Sequence, residues 1–243
     1  MSIKICGHSH IAALLNGYRL IKEPAFKVDF VPLTGAEYMN RDFTQIKKAN
    51  VSFTVDRFQQ AFEKATGETH FSTKHIWGLV MGGYPNRLLG GAQWKNIRPA
   101  AFWEKGTRPV SLAQLDILSY LDRRSLQNFI RDLKKTGVDV FVISLPLSIR
   151  DYRPEDTAQQ LKARAFMHNR ARTNFKDWLI KQNVDFIDVP KDLIMDDGFM
   201  DPDYMVMTKS TGAPDFDHGN HRYGERMMQE ILDYLKRRGY TEA

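Results

Sequence analysis

Three polar residues near the two ends of the chain have the types that acyl transfer requires. Ser9 follows an apolar run at residues 3–6, and His218 lies near the other end with Asp215 three residues before it. A serine hydroxyl becomes a nucleophile when an imidazole takes its proton and a carboxylate orients that imidazole. We therefore predict that Ser9 is the nucleophile, His218 the base and Asp215 the residue that orients the base.

The same chemistry needs an oxyanion hole, a set of donors that receives the negative charge developing on the substrate oxygen. Ser9 stands before a predicted helix at residues 10–20, and the first amides of a helix favour negative charge nearby. Gly35 and Asn86 lie in loops that follow two further predicted strands. We expect Ser9, Gly35 and Asn86 to supply these donors.

Five short apolar segments alternate with stretches of helical periodicity, and several of them are rich in β-branched and aromatic residues, as strands are. The predicted strands are residues 3–6, 27–33, 76–81, 138–145 and 184–189. The predicted helices are residues 10–20, 155–181 and 223–238, with one or two more over 111–135. This alternation favours an α/β fold with a parallel sheet covered on both faces. The carboxyl edge of such a sheet would bring Ser9 and His218 together.

The length of the chain fits one α/β domain, and we interpret residues 1–243 as such a domain. Residues 36–70 show no clear period, and we treat them as an insertion with one helix. Ser111 precedes a run of leucines at helical spacing, so we predict that it caps a helix.

Charge and composition limit the partners that we expect. The net charge is +6, but lysine and arginine are spread along the chain without a long basic block, so we predict no nucleic-acid partner. The sequence contains no run of about 18 apolar residues, so we predict no membrane span. The single cysteine, Cys6, excludes a zinc site made of several cysteines. We expect a cytoplasmic protein without a membrane partner.

The order of these motifs resembles that of the SGNH hydrolases, also called GDSL esterases and lipases. The motifs that carry the resemblance through the chain are Gly7-x-Ser9, a glycine loop after the second strand, Gly82-Gly83 after the third, and Asp215-x-x-His218. The most specific motifs lie near the C-terminus and resemble those of a bacterial branch of the family. They are Asp197-Gly198-Phe199-Met200, Asp201-Pro202-Asp203-Tyr204 and His218-x-Asn220-x-x-Tyr223-Gly224.

This resemblance implies a flavodoxin-like, three-layer α/β/α sandwich with a five-stranded parallel sheet. It implies hydrolysis or transfer of an acyl group through a seryl ester, with no metal and no cofactor. We expect a small-molecule or glycan ester as the substrate, and prefer a carbohydrate O-acyl group to a lipid because no long apolar lid is evident. The oligomeric state is left open.

The chain departs from the family pattern at two places. His8 stands where an acidic residue often lies between the glycine and the serine. Tyr84 follows Gly82-Gly83 where the family has an asparagine, and the nearest asparagine is Asn86. These departures would also fit a retired hydrolase fold that binds a glycan or a partner protein.

Simpler or different roles compete for the same residues. Taken alone, Ser9 would be a helix cap, and His218 would be a surface histidine in a turn before a helix. Gly7-His8-Ser9-His10 and Gly219-Asn220-His221 resemble the ligand motifs of dinuclear metallophosphoesterases. Their order and the missing central aspartate motif argue against that class. No role follows from the sequence for His8, His10 or His221.

Overall fold

The computed structural model describes residues 2–34, 41–81, 96–150, 156–210 and 212–240. The strands in chain order are β1 (Ser2–Gly7), β2 (Val28–Pro32), β3 (Thr44–Lys47), β4 (Asn50–Phe53), β5 (His75–Val80), β6 (Ile97–Pro99), β7 (Arg108–Val110), β8 (Asp139–Ile143), β9 (Asp185–Ile187), β10 (Met205–Met207) and β11 (Pro214–Gly219). The helices are α1 (Ile11–Tyr18), α2 (Asp56–Thr66), α3 (Leu112–Asp122), α4 (Arg124–Lys135), α5 (Ala158–Lys181) and α6 (His221–Arg237).

Five parallel strands form the central sheet, in the spatial order β2-β1-β5-β8-β9. Counted by themselves along the chain, these strands have the order 2-1-3-4-5, which is that of flavodoxin-like folds. All five correspond to predicted strands, so the predicted α/β fold class is confirmed. In a sheet of this order, side chains for chemistry gather beyond the carboxyl ends of the strands.

Two buried clusters cover the two faces of the sheet. Ile5 of β1 packs in one cluster with Leu14 of α1 and Ile231 of α6. Its neighbour Cys6 packs in the other cluster, which includes Phe129 of α4. Adjacent strand residues point to opposite faces, so the sheet lies between two helical layers. The three layers of the predicted sandwich are therefore present.

Helices α1 and α6 lie on the same face and touch through glycine. A Cβ added to Gly224 of α6 would overlap the backbone of Ala13, and one added to Gly17 of α1 would overlap the backbone of Gly224. Only glycine lets the two backbones approach this closely. Because α1 begins just after Ser9 and α6 just after His218, this contact fixes the distance between the two ends of the chain.

The region around residues 36–70 contains more structure than the one predicted helix, which corresponds to α2. Strands β3 and β4 form an antiparallel hairpin whose turn residues, Lys48 and Ala49, have φ of 50° and 61°. Two-residue hairpin turns of this kind usually carry Asn-Gly, so Lys-Ala gives no turn signal in the sequence. The aromatic rings of Phe43 and Phe53 lie 5.4 and 6.0 Å from that of Phe129, which attaches this region to α4.

Residues 111–135 form two helices, and the predicted cap at Ser111 is confirmed. Its hydroxyl accepts a hydrogen bond from the amide of Gln114, and the Gln114 side chain accepts one from the amide of Ser111. This reciprocal pair satisfies two amides at the start of α3. No helix in the described part of the chain is long and apolar enough to cross a membrane.

A buried histidine on α5 lies among positive charges. The Nδ1 atom of His168 is 3.5 Å from the amide of Ser148. Burial lowers the pKa of His168 to about 3, and the charges of Arg172, Arg123 and Arg164 add to the effect. His168 is therefore a neutral part of the core at neutral pH.

Candidate active site

Ser9, His218 and Asp215 form a continuous chain of hydrogen bonds. Ser9 Oγ lies 2.8 Å from Nε2 of His218. The opposite ring nitrogen, Nδ1, lies 3.0 Å from Oδ1 of Asp215. The structure thus brings together the three residues predicted as a triad, although Ser9 and His218 are 209 residues apart.

Asp215 is held by the backbone that follows it. Its Oδ1 accepts hydrogen bonds from the amides of Asp217 at 2.8 Å and His218 at 2.9 Å, as well as from the His218 ring. Burial by itself would raise the pKa of Asp215, but these hydrogen bonds outweigh it and the net pKa is lowered. Asp215 is therefore an anion at neutral pH and can stabilise positive charge on the ring of His218.

Ser9 lies in the turn between β1 and α1, at the carboxyl edge of the sheet. The amides of Ile11 and Ala12 donate to the carbonyls of His8 and Ser9, which winds the chain directly into the helix. His10 occupies the cap position of α1, and no side chain caps it. The hydroxyl of Ser9 is therefore directed to His218 and does not serve as a helix cap.

His218 lies in a strand, whereas the sequence offered a turn before the last helix. Strand β11 pairs with β10 as an antiparallel hairpin. Asn220 joins this hairpin to α6, because its Nδ2 donates to the carbonyls of Asp203 and Met205 while its Oδ1 accepts from the first amides of the helix. Asn220 thus sets the position of His218, a role that only its place after His218 in the family-like motif could have indicated.

Tyr223 ties the start of α6 to the sheet. Its hydroxyl donates to the carbonyl of Ser144, just beyond the carboxyl end of β8, at 3.2 Å. The ring is buried, so water does not compete for this hydrogen bond. The helix that follows His218 is therefore anchored at the sheet edge where Ser9 lies.

Two further imidazoles, which the sequence did not assign, lie against the triad. The ring of His10 stacks on that of His218, with centroids 4.9 Å apart and planes 22° apart. The ring of His8 meets His10 edge-on, and its Nδ1 lies 3.3 Å from Ser9 Oγ. Their position beside Ser9 in the sequence was the only available signal.

His8 and His10 are both buried and neutral. Burial, together with the positive charge that His218 can carry, lowers the pKa of His8 to about 4. Burial also lowers the pKa of His10 well below its usual range, helped by His8 and His218. His218, in contrast, links Ser9 to the carboxylate of Asp215, so it is placed to take the proton of Ser9.

The described residues leave out part of the predicted oxyanion hole and contain no metal-binding cluster. Gly35 and Asn86 lie outside the described residues, so their role stays a prediction. Among the side chains that the structure describes, no group of three or more His, Cys, Asp or Glu is arranged to hold a metal ion. The geometry that is present is that of proton transfer from a hydroxyl to an imidazole.

No family model matches the chain, and no curated protein matches it. Solved structures do match. A GDSL-like lipase from Bacteroides thetaiotaomicron is 10% identical, and the match covers 98% of this chain and 89% of that one with a TM-score of 0.47. An acetyl xylan esterase is 12% identical, and the match covers 97% of this chain and 100% of that one with a TM-score of 0.48.

The periplasmic domain of a lipopolysaccharide acetyltransferase from Salmonella ser. Paratyphi A also matches. It is 12% identical, and the match covers 97% of this chain and 83% of that domain with a TM-score of 0.47. At identities this low, the function has to be argued from the side chains of this chain.

Proposed function

We propose that this protein is a serine-dependent ester hydrolase or acyltransferase. The observation that carries the proposal is the pair of hydrogen bonds from Ser9 Oγ through the ring of His218 to Asp215. A hydroxyl, an imidazole and a carboxylate at these distances are the parts that nucleophilic acyl transfer needs.

In the first half of the reaction, Ser9 Oγ attacks the acyl carbon of the ester while its proton moves to Nε2 of His218. The bond from the acyl carbon to the alcohol oxygen then breaks, and the alcohol takes that proton. In the second half, water or an acceptor hydroxyl gives a proton to His218 and attacks the seryl ester. The Ser9 oxygen leaves and recovers its proton, which restores the resting enzyme.

The choice of substrate rests on the surface beside the triad. Phe216 lies between Asp215 and His218 on β11 and is 39% exposed. An exposed aromatic side chain in the strand that carries Asp215 and His218 could cover the apolar face of a sugar, since binding sites combine aromatic walls with a few polar groups. We therefore favour a carbohydrate O-acyl group as the substrate.

A fluorophosphonate probe tests the proposal because it reacts preferentially with serines that are activated as nucleophiles. We expect the wild type to be labelled, and we expect Ser9→Ala and His218→Ala to lose labelling while keeping the wild-type melting temperature within a few degrees. Hydrolysis of p-nitrophenyl acetate compared with longer acyl esters, and of acetylated sugars, then defines the substrate. A folded wild type that neither reacts with the probe nor hydrolyses any ester would favour the binding-module alternative.

The chain offers a matched control for this experiment. At the opposite edge of the sheet, Ser2 Oγ lies 2.6 Å from Nδ1 of His75, whose Nε2 lies 2.9 Å from Glu68. This second serine, histidine and carboxylate group lies at the amino end of β1, away from the edge where parallel sheets place their chemistry. We expect Ser2→Ala to keep full labelling, and labelling that follows Ser2 would contradict the assignment of Ser9.

A further inference from the structure

Ser9 Oγ has a second imidazole within hydrogen-bond distance. Nδ1 of His8 lies 3.3 Å from Ser9 Oγ, compared with 2.8 Å for Nε2 of His218. His8 is only 7% exposed, so its ring is largely shielded from water. The contact needs a direction, because an imidazole nitrogen can either donate or accept.

The protons of the triad fix that direction. Nδ1 of His218 faces the Asp215 carboxylate, which can only accept, so the proton of the neutral ring lies on Nδ1. Nε2 of His218 then has a lone pair and accepts the single hydroxyl proton of Ser9. Ser9 Oγ can offer only lone pairs to its other neighbour, so Nδ1 of His8 must carry a proton and donate it.

We propose that His8 is a further catalytic residue, whose Nδ1–H donates a hydrogen bond to Ser9 Oγ while the proton of Ser9 is held by His218. This inference rests on the function proposed above, because the donor has a catalytic role only where Ser9 reacts. It gives a role to His8, which stands between Gly7 and Ser9 where the family often has an acidic residue.

The donor acts when charge is present on Ser9 Oγ. As the Ser9 proton moves to His218, negative charge grows on Oγ before the bond to the acyl carbon is complete. It grows again when the seryl ester breaks and the electron pair of the C–O bond returns to Oγ. Hydrogen bonds to charged oxygens are shorter and stronger than those to neutral ones. The long ground-state contact of 3.3 Å therefore leaves room for a gain in the transition state.

The role of His8 differs from that of His218 in its proton balance. His8 keeps its own proton through both halves of the reaction, and His218 alone takes and returns one. A neutral His8 also leaves the positive charge of the reaction on His218, where Asp215 stabilises it. Ser9, His10 and His218 are among the described groups that face His8.

Two substitutions of matched shape separate donation from packing. Asn and Leu branch at the same atom and leave the same space, but only Asn places an N–H near the position of the lost Nδ1. With p-nitrophenyl acetate, we expect His8→Leu to lower kcat by roughly tenfold to a hundredfold, below the loss for a short oxyanion-hole donor. We expect His8→Asn to recover most of that loss. Equal rates in all three proteins, or equal losses in both variants, would overturn the proposal.

A measurement without turnover examines the hydrogen bond directly. In protein labelled with 15N in its histidine rings, we expect the nitrogen shifts of His8 to show a neutral ring with the proton on Nδ1. We expect that signal to move in Ser9→Ala. A His8 protonated on Nε2 in an active wild type would overturn this inference alone. A wild type without probe labelling or ester hydrolysis would overturn the proposed function and, with it, the catalytic role of His8.

Discussion

A single methyl group at Gly224 should separate Ser9 from its base. The added Cβ of Gly224→Ala would overlap the backbone of Ala13, so α1 and α6 must move apart to accommodate it. Overpacking of this kind costs about 1 to 3 kcal/mol, which a domain stable by about 5 to 15 kcal/mol survives. A displacement of about 1 Å at a reacting centre is enough to cost about a hundredfold in rate.

The distance between Ser9 and His218 shows why the effect on rate should exceed the effect on stability. The hydrogen bond between them is 2.8 Å, and an added separation of about 1 Å would take it beyond hydrogen-bond range. We therefore expect Gly224→Ala to remain folded, to melt at a lower temperature, and to react with a fluorophosphonate about a hundredfold more slowly.

The assay compares labelling rates at a temperature well below both melting points. Glu225→Ala is the matched control, because it lies next in α6 but its side chain is exposed, and it should change neither rate nor melting temperature. A Gly224→Ala protein with the wild-type rate and melting temperature would show that the close contact of α1 and α6 does not position the triad.

Three further results are expected. Asp215→Asn should lower the labelling rate on the order of a thousandfold with little loss of stability, as labelling rates and thermal melts would show. The side-chain amide of Asn can still accept hydrogen bonds from the backbone, but it no longer balances the charge of a protonated His218. The pKa of His168 is about 3 in the folded chain, compared with 6.5 ordinarily, so unfolding takes up a proton between these two pH values. The free energy of unfolding should therefore fall as the pH drops from about 6.5, by about 1.4 kcal/mol per pH unit. Urea unfolding at several pH values should show a shallower fall in His168→Leu than in the wild type, and equal slopes in the two proteins would contradict this expectation. Ser111→Ala should destabilise the chain by about 1 kcal/mol without changing the labelling rate, since it removes only the cap of α3.

The five central strands could be predicted because burial on both faces leaves a readable pattern. The run that contains Val140 and Val142 is apolar at consecutive positions, as a strand covered by helices on both sides must be. The helix cap at Ser111 could also be predicted, because it depends only on hydrogen bonds between residues close in sequence. Strand order followed from the resemblance of the motifs.

The parts that could not be predicted depend on contacts between distant residues. The hairpin of β3 and β4 turns on Lys48 and Ala49, whose left-handed conformation is not suggested by their residue types. Strand β11 contains Asp215 and His218 and lacks the apolar alternation of a strand. Its geometry is set by pairing with β10 and by the hydrogen bonds of Asn220, which no local pattern encodes.

The candidate site was predicted in part. Ser9, His218 and Asp215 were found from residue type and order, and the structure brings them together. The stacking of His10 on His218 was not, because it depends on how α1 packs against α6. The approach of His8 to Ser9 was not either, because the residue type does not give the direction of the ring.

The contact between α1 and α6 also makes Ser9 a reporter of folding. The strand and helix around Ser9 are made from the first residues of the chain, while its base comes from a hairpin made near the end. Closing so long a loop is among the slower events in folding, because distant segments must meet before their contacts repay the lost chain entropy. The reactivity that we propose for Ser9 should therefore appear only in the last step, and probe labelling during refolding would time the docking of α6.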